Sequence, residues 1–101
     1  MKKNLLVAAA FVAAIATPAY AADEIKIGVI LGFTGPIESL TPDMAASGEL
    51  ALKEASDSGL FLGGKKIKPV RKDSTCIDAA AATANAENLI TAEGVAAIFG
   101  A

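Results

Sequence analysis

The chain has 101 residues, with 9 basic and 11 acidic side chains, no histidine and a single cysteine, Cys76. The slight acidic excess argues against nucleic acid, whose binders concentrate lysine and arginine on one face. The lack of histidine removes histidine-based catalysis and histidine metal sites from this stretch. The 53% hydrophobic content is inflated by the first 21 residues and does not measure a core.

Lys2 and Lys3 precede an unbroken apolar run from Leu5 to Ala16, and Ala19-Tyr20-Ala21 supplies a small-x-small site. This pattern predicts a secretory signal peptide over residues 1–21, cut after Ala21. A membrane span would need about 20 apolar residues, and Thr17-Pro18 interrupts this run early. No cysteine lies near the cut to carry a lipid anchor. An exported, unanchored chain points to the periplasm of a Gram-negative bacterium. Removing residues 1–21 takes away two lysines and no acid, which leaves 7 basic against 11 acidic residues, net −4, over 80 residues. A segment of that size builds one small core with marginal burial. The chain stops just after a third predicted strand and is read as the front of a longer protein.

Ile25 to Leu31 is a nearly continuous apolar run, as in a parallel strand covered on both faces. Gly32, Gly35 and Pro36 break it. A helix is predicted from Pro42, with Thr41 as its cap, Pro42 at the first helical position and Asp43 at the positive end of the dipole. Met44, Gly48, Ala51, Leu52 and Ala55 form its predicted inner stripe. Glu49, Lys53, Glu54 and Asp57 fall toward solvent, and Gly59 is placed to terminate the helix. After the Gly63-Gly64 turn, a second strand is predicted over Lys66–Lys72. Pro69 lacks a ladder donor and assigns that strand to a sheet edge, which its lysines protect from unwanted pairing. Asp78 is placed to cap a second helix over Ala79–Glu93, with Ala79, Ala82, Ala86, Leu89 and Ile90 inward and Gly94 as the stop. Val95–Phe99 reads as a third buried strand.

The order is βαβαβ, an α/β chain that opens a doubly wound parallel sheet. Right-handed crossovers place the first strand between the other two, with ligands expected at the carboxyl ends of the strands. The loop from Gly32 to Leu40 is therefore the leading site candidate. It has glycines that let backbone approach a ligand, and it runs into a helix start that favours an anion. An ordinary strand-to-helix turn has the same ingredients. Phe33 can line a pocket or cover the sheet end, and Glu38 can hold a ligand ammonium or be solvated.

Glycines at 28, 32 and 35 do not make a dinucleotide fingerprint. Gly63-Gly64-Lys65-Lys66 precedes a strand, so it is no phosphate loop. No catalytic constellation, metal set or cofactor motif stands out, and the chain is read as non-enzymatic. A lone cysteine in an exported protein suggests a missing partner. Cys76 can pair beyond Ala101, pair between chains or stay free.

Several motifs in order resemble the branched-chain amino acid (Leu/Ile/Val-binding) family of periplasmic binding proteins, which serve ABC importers. They are Ile25-Lys26-Ile27-Gly28-Val29, Thr34-Gly35-Pro36, Gly63-Gly64-Lys65, Asp73-Ser74-Thr75-Cys76 before an alanine-rich helix, and Ile98-Phe99-Gly100-Ala101. The resemblance covers the whole stretch after the signal. It implies a type I periplasmic binding fold of two lobes that close about a hinge on a solute. Residues 22–101 would then be the amino-terminal part of the first lobe. By the same resemblance, Cys76 pairs with a cysteine just beyond the Gly100-Ala101 loop. Phe33, Thr34, Gly35, Pro36, Glu38, Ser39, Leu40 and Ala101 would line the cleft, with Leu40 near the ligand side chain and the main clamps downstream of Ala101. The segment from Pro36 to Asp43 is longer than in the best-known members, which weakens the residue-by-residue transfer there.

The expected role is capture of an amino acid or related small carboxylate for an inner-membrane ABC permease by a monomeric protein without cofactors. A periplasmic sensing domain of a signalling system is the alternative on the same fold. An exported α/β enzyme is the alternative from another class.

Overall fold

The computed structural model describes residues 24–100; the predicted signal peptide, its cleavage site and Ala101 lie outside the described residues. Three strands and two helices alternate: β1 (Glu24–Leu31), α1 (Thr41–Asp57), β2 (Lys66–Asp73), α2 (Ala79–Thr91) and β3 (Ala97–Gly100). The sheet order is β2-β1-β3 and both pairings are parallel. β1 is thus central, as the right-handed crossover rule predicts. Pro69 lies opposite Ile27 on β2, which among the described residues pairs with β1 alone and so forms a sheet edge, the position where proline is tolerated.

Side chains of β1 alternate between two covered faces. Val29 and Leu31 pack with Ala45 of α1, and Gly28 faces Leu89 of α2. One helix therefore lies on each face, the doubly wound arrangement. Burial on both faces is why this strand reads as a continuous apolar run and not as an alternating one.

The inner face of α1 differs from the predicted stripe. Thr41, Ala45 and Ser56 are buried, with Gly48, Leu52 and Ala55 beside them, whereas Met44 is 51% exposed. Polar anchors at both ends set this rotation. The Thr41 hydroxyl donates to the Gly32 carbonyl at 2.8 Å, and the Ser56 hydroxyl accepts from the Ile67 amide at 3.1 Å. Thr41 is therefore not the cap. Leu40 occupies that position without a side-chain bond, and Thr41 has entered the first turn, where its hydroxyl ties helix to sheet. Pro42 sits in the first turn as predicted. Gly59 follows the helix with φ +71, the left-handed step that ends it.

Asp78 caps α2 as expected, accepting from the amides of Ala80 and Ala81 at 2.9 and 3.2 Å. Leu89 is fully buried, while Ala79 and Ile90 of the predicted stripe are exposed. The helix ends at Thr91, and β3 starts at Ala97, two residues later than predicted.

Arg71 on β2 grips Glu49 on α1 through two parallel bonds, Nε–Oε1 at 2.6 Å and Nη2–Oε2 at 2.8 Å. The pairing holds Glu49 at the margin of the solvent side. The Arg71 side chain is 43% exposed, so solvent screens the pair. A double-mutant cycle of Glu49→Gln and Arg71→Gln is expected to give a coupling of about 0.5–1 kcal/mol in urea unfolding. Arg71→Lys should lose most of that coupling, because an ammonium cannot reproduce the planar fork. A coupling indistinguishable from zero would show that the fork does not stabilise the fold.

Candidate functional site at the carboxyl ends of the strands

The loops that follow β1 and β2 leave the sheet side by side. Parallel register sets Leu31 opposite Asp73, so both strands end at the same level. The Ser74 amide donates to the Leu31 carbonyl at 2.9 Å and carries the pairing one step further. Within the first loop, Glu38 donates to the Gly35 carbonyl at 3.2 Å and Leu40 to the Ile37 carbonyl at 2.9 Å, a pair of tight turns leading into α1. Gly35 has φ +100, and a Cβ there would stand 2.8 Å from the Thr75 carbonyl oxygen. The two loops touch at this point, and a residue with a side chain would hold them apart.

Asp73 fastens the loops together. Its Oδ1 accepts the amides of Phe33 at 2.9 Å, Thr34 at 3.3 Å and Thr75 at 2.8 Å. Its Oδ2 accepts the Thr34 hydroxyl. These bonds favour the charged form and hold the Asp73 carboxyl below its ordinary range, the Thr34 hydroxyl contributing most, then the Thr75 amide. Thr75 and Cys76 then turn with φ +59 and +63, left-handed values that non-glycine residues adopt only where surroundings enforce them. Asn85 of α2 donates to the Asp73 carbonyl at 2.7 Å from the other side.

Glu49 is also held below its ordinary range, first by its hydrogen bond from Arg71. For both carboxyls the folded value is depressed. Their contribution to stability is therefore complete above the ordinary carboxylate range and is lost as pH falls through it to the lower folded values. The urea midpoint is expected to drop between about pH 5 and pH 3, and Asp73→Asn should flatten that drop. An equally steep drop in Asp73→Asn would remove Asp73 as one of its sources.

Of the predicted site residues, Phe33, Thr34, Gly35, Pro36, Glu38, Ser39 and Leu40 lie together in the first loop, and Ala101 lies outside the described residues. Phe33 is half-buried against the Val29–Leu31–Ala45 cluster, and the Arg71 guanidinium sits 5.3 Å from its ring centroid. It covers the sheet end. Thr34 is exposed but its hydroxyl is committed to Asp73. Pro36, Glu38, Ser39 and Leu40 are exposed on the outer rim. Cys76 is exposed with its thiol free. It lines an open cavity of about 320 Å³ with Ser74, Ile77, Asp78, Ala79 and Ala82. Among the described residues no group of three or more acidic, cysteine or histidine side chains could hold a metal, and no helix is long and apolar enough to cross a membrane.

Asp73 is the residue that sequence reasoning missed. The available signal was positional: an acid closing an edge strand at the level where the central strand meets its glycine loop.

A parallel, doubly wound unit whose strand-end loops converge on one face is the arrangement in which open α/β sheets place ligands. Residues 24–101 match the periplasmic binding protein family. The chain is 37% identical over 100 residues to Leu/Ile/Val-binding protein homolog 7 of Brucella suis, covering 99% of this chain and 24% of that protein. It is 38% identical over 101 residues to the Brucella abortus protein of the same name, with the same coverage. A solved structure described as "a possible leucine/isoleucine/valine-binding protein" from Rhodopirellula baltica superposes with a TM-score of 0.63 at 27% identity, over 84% of this chain and 22% of that one. This chain belongs to the periplasmic binding protein family, and its fold is part of a type I periplasmic binding domain. It spans about a quarter of the length of the curated relatives it matches.

Proposed function

We propose that this chain is the amino-terminal part of the first lobe of an exported solute-binding protein that captures an amino acid or related small carboxylate. In this reading the loop from Phe33 to Leu40, with Ala101 beyond β3, forms one wall of the cleft. A second lobe closes on the solute about a hinge, and the closed protein, a monomer, presents it to an ABC permease of the inner membrane. Residues 1–21 direct export to a Gram-negative periplasm, and Cys76 pairs with a cysteine beyond Ala101.

The observation that carries this reading is the convergence of two strand-end loops, welded by Asp73, at the open end of the sheet. A preorganised wall costs little entropy when solute binds. Hinged closure then supplies the remaining contacts, and no bond is made or broken. The relatives' names support branched-chain amino acids as the first ligands to try.

Calorimetric titration of the intact protein with the L-amino acids and with short aliphatic carboxylates tests the reading. Saturable binding of at least one of them, with one solute per protein, is expected. No heat with any of them would overturn it.

A further inference from the structure

Asp73 carries four donors on one carboxylate, three from the first loop and one from Thr75, which follows β2. Its side chain lies at the rim, where one carboxylate ties both strand-end loops together. Thr34 is exposed. Phe33 is held by packing of its ring and by a second bond from its amide to the Leu31 carbonyl at 2.9 Å, whereas the bonds Thr34 makes through its amide and its hydroxyl both go to Asp73.

We propose that Asp73 is a positioning residue for solute binding: its carboxylate holds Phe33 and Thr34 of the first loop and Thr75 of the second in one arrangement that the solute meets ready-made. This rests on the solute-binding reading above. It assigns to Asp73 no contact with solute. What the loop requires is an acceptor at Oδ1 for three amides and a partner at Oδ2 for the Thr34 hydroxyl. Asparagine supplies both, because its Oδ1 accepts the amides and its Nδ2 can donate to the Thr34 hydroxyl, which serves equally as donor or acceptor. Glutamate keeps the charge but carries the acceptor one methylene too far.

The test uses the intact protein, titrated with the L-amino acids and short aliphatic carboxylates, with hydrogen exchange at the Thr34 and Thr75 amides followed in parallel. Asp73→Ala is expected to weaken binding about tenfold or more and to expose those two amides. Asp73→Asn should stay within about threefold of the parent, and Asp73→Glu should resemble alanine. If Asp73→Ala fails to fold, the order of the other two decides, with asparagine expected to bind more tightly than glutamate. Glutamate binding as tightly as asparagine would overturn the proposal. So would an alanine variant that melts at a lower temperature yet binds within about twofold of the parent, since Asp73 would then serve the fold and not the site. Should the parent bind neither the L-amino acids nor the short aliphatic carboxylates, the solute reading fails. The exchange data still decide whether Asp73 sets the loop: amides that stay protected in Asp73→Ala would overturn that by themselves.

Discussion

Leu89→Ala is expected to destabilise the protein by about 3 kcal/mol, and Gly28→Ala in the same chain to recover part of that loss. Leu89 is fully buried, and removing a buried leucine forfeits its transfer free energy and leaves a void, together about 2–5 kcal/mol. Gly28 sits opposite on β1, where an added Cβ would lie 2.9 Å from Leu89 Cδ1 and 3.3 Å from Cδ2 and from Ile98 Cγ1. With Leu89 present that methyl overpacks the interface and should cost about 1–3 kcal/mol. With Leu89 truncated, the same methyl enters the vacated space. The double variant should therefore be more stable than the sum of the two losses predicts by about 1–2 kcal/mol. Urea unfolding of the four proteins measures this directly. Strict additivity would mean that helix and strand do not meet where the structure has them.

Gly35→Ala should act on the site more than on the core. The residue has φ +100, and its Cβ would collide with the Thr75 carbonyl oxygen at 2.8 Å. Strain of this kind costs about 1–3 kcal/mol. The loop is exposed at this point and can relax by lifting away from Thr75, which transfers the cost from folding to binding. A displacement worth about 2 kcal/mol corresponds to roughly a thirtyfold loss of affinity. Thermal unfolding should shift little by comparison. An affinity within about twofold of the parent would show that contact between the two loops does not matter for solute.

Most of the architecture was legible before any coordinates. The apolar run of β1, the proline on β2 and the aspartate ahead of an alanine-rich helix each have one physical reading, and each held: a strand covered twice, an edge strand and an amino-terminal cap. The rotation of α1 was not legible. Its small and apolar residues are spread round the helix, so counting them favours Met44 as readily as Ala45. The Thr41 and Ser56 hydroxyls decide the matter by bonding to backbone far along the chain, and periodicity carries no information about such partners.

The site shows the same division. The glycine loop could be found because its glycines and proline are local signals. Asp73 could not be given a role, because three of its four donors are 39 or 40 residues away and meet it only once β1 and β2 are in register. Thr34, which the resemblance placed along the cleft, has its hydroxyl committed to the protein.

The central claim is that the Phe33–Leu40 loop is a wall of the solute cleft. The most direct test is hydrogen exchange of the intact protein, read at the amides of residues 33–40 with and without a saturating amino acid. The account predicts that exchange through this loop slows by about tenfold or more on binding, as the cleft closes over it and solvent is excluded. Saturable binding with unchanged exchange throughout residues 33–40 would contradict it, and would move the solute to another face of the protein.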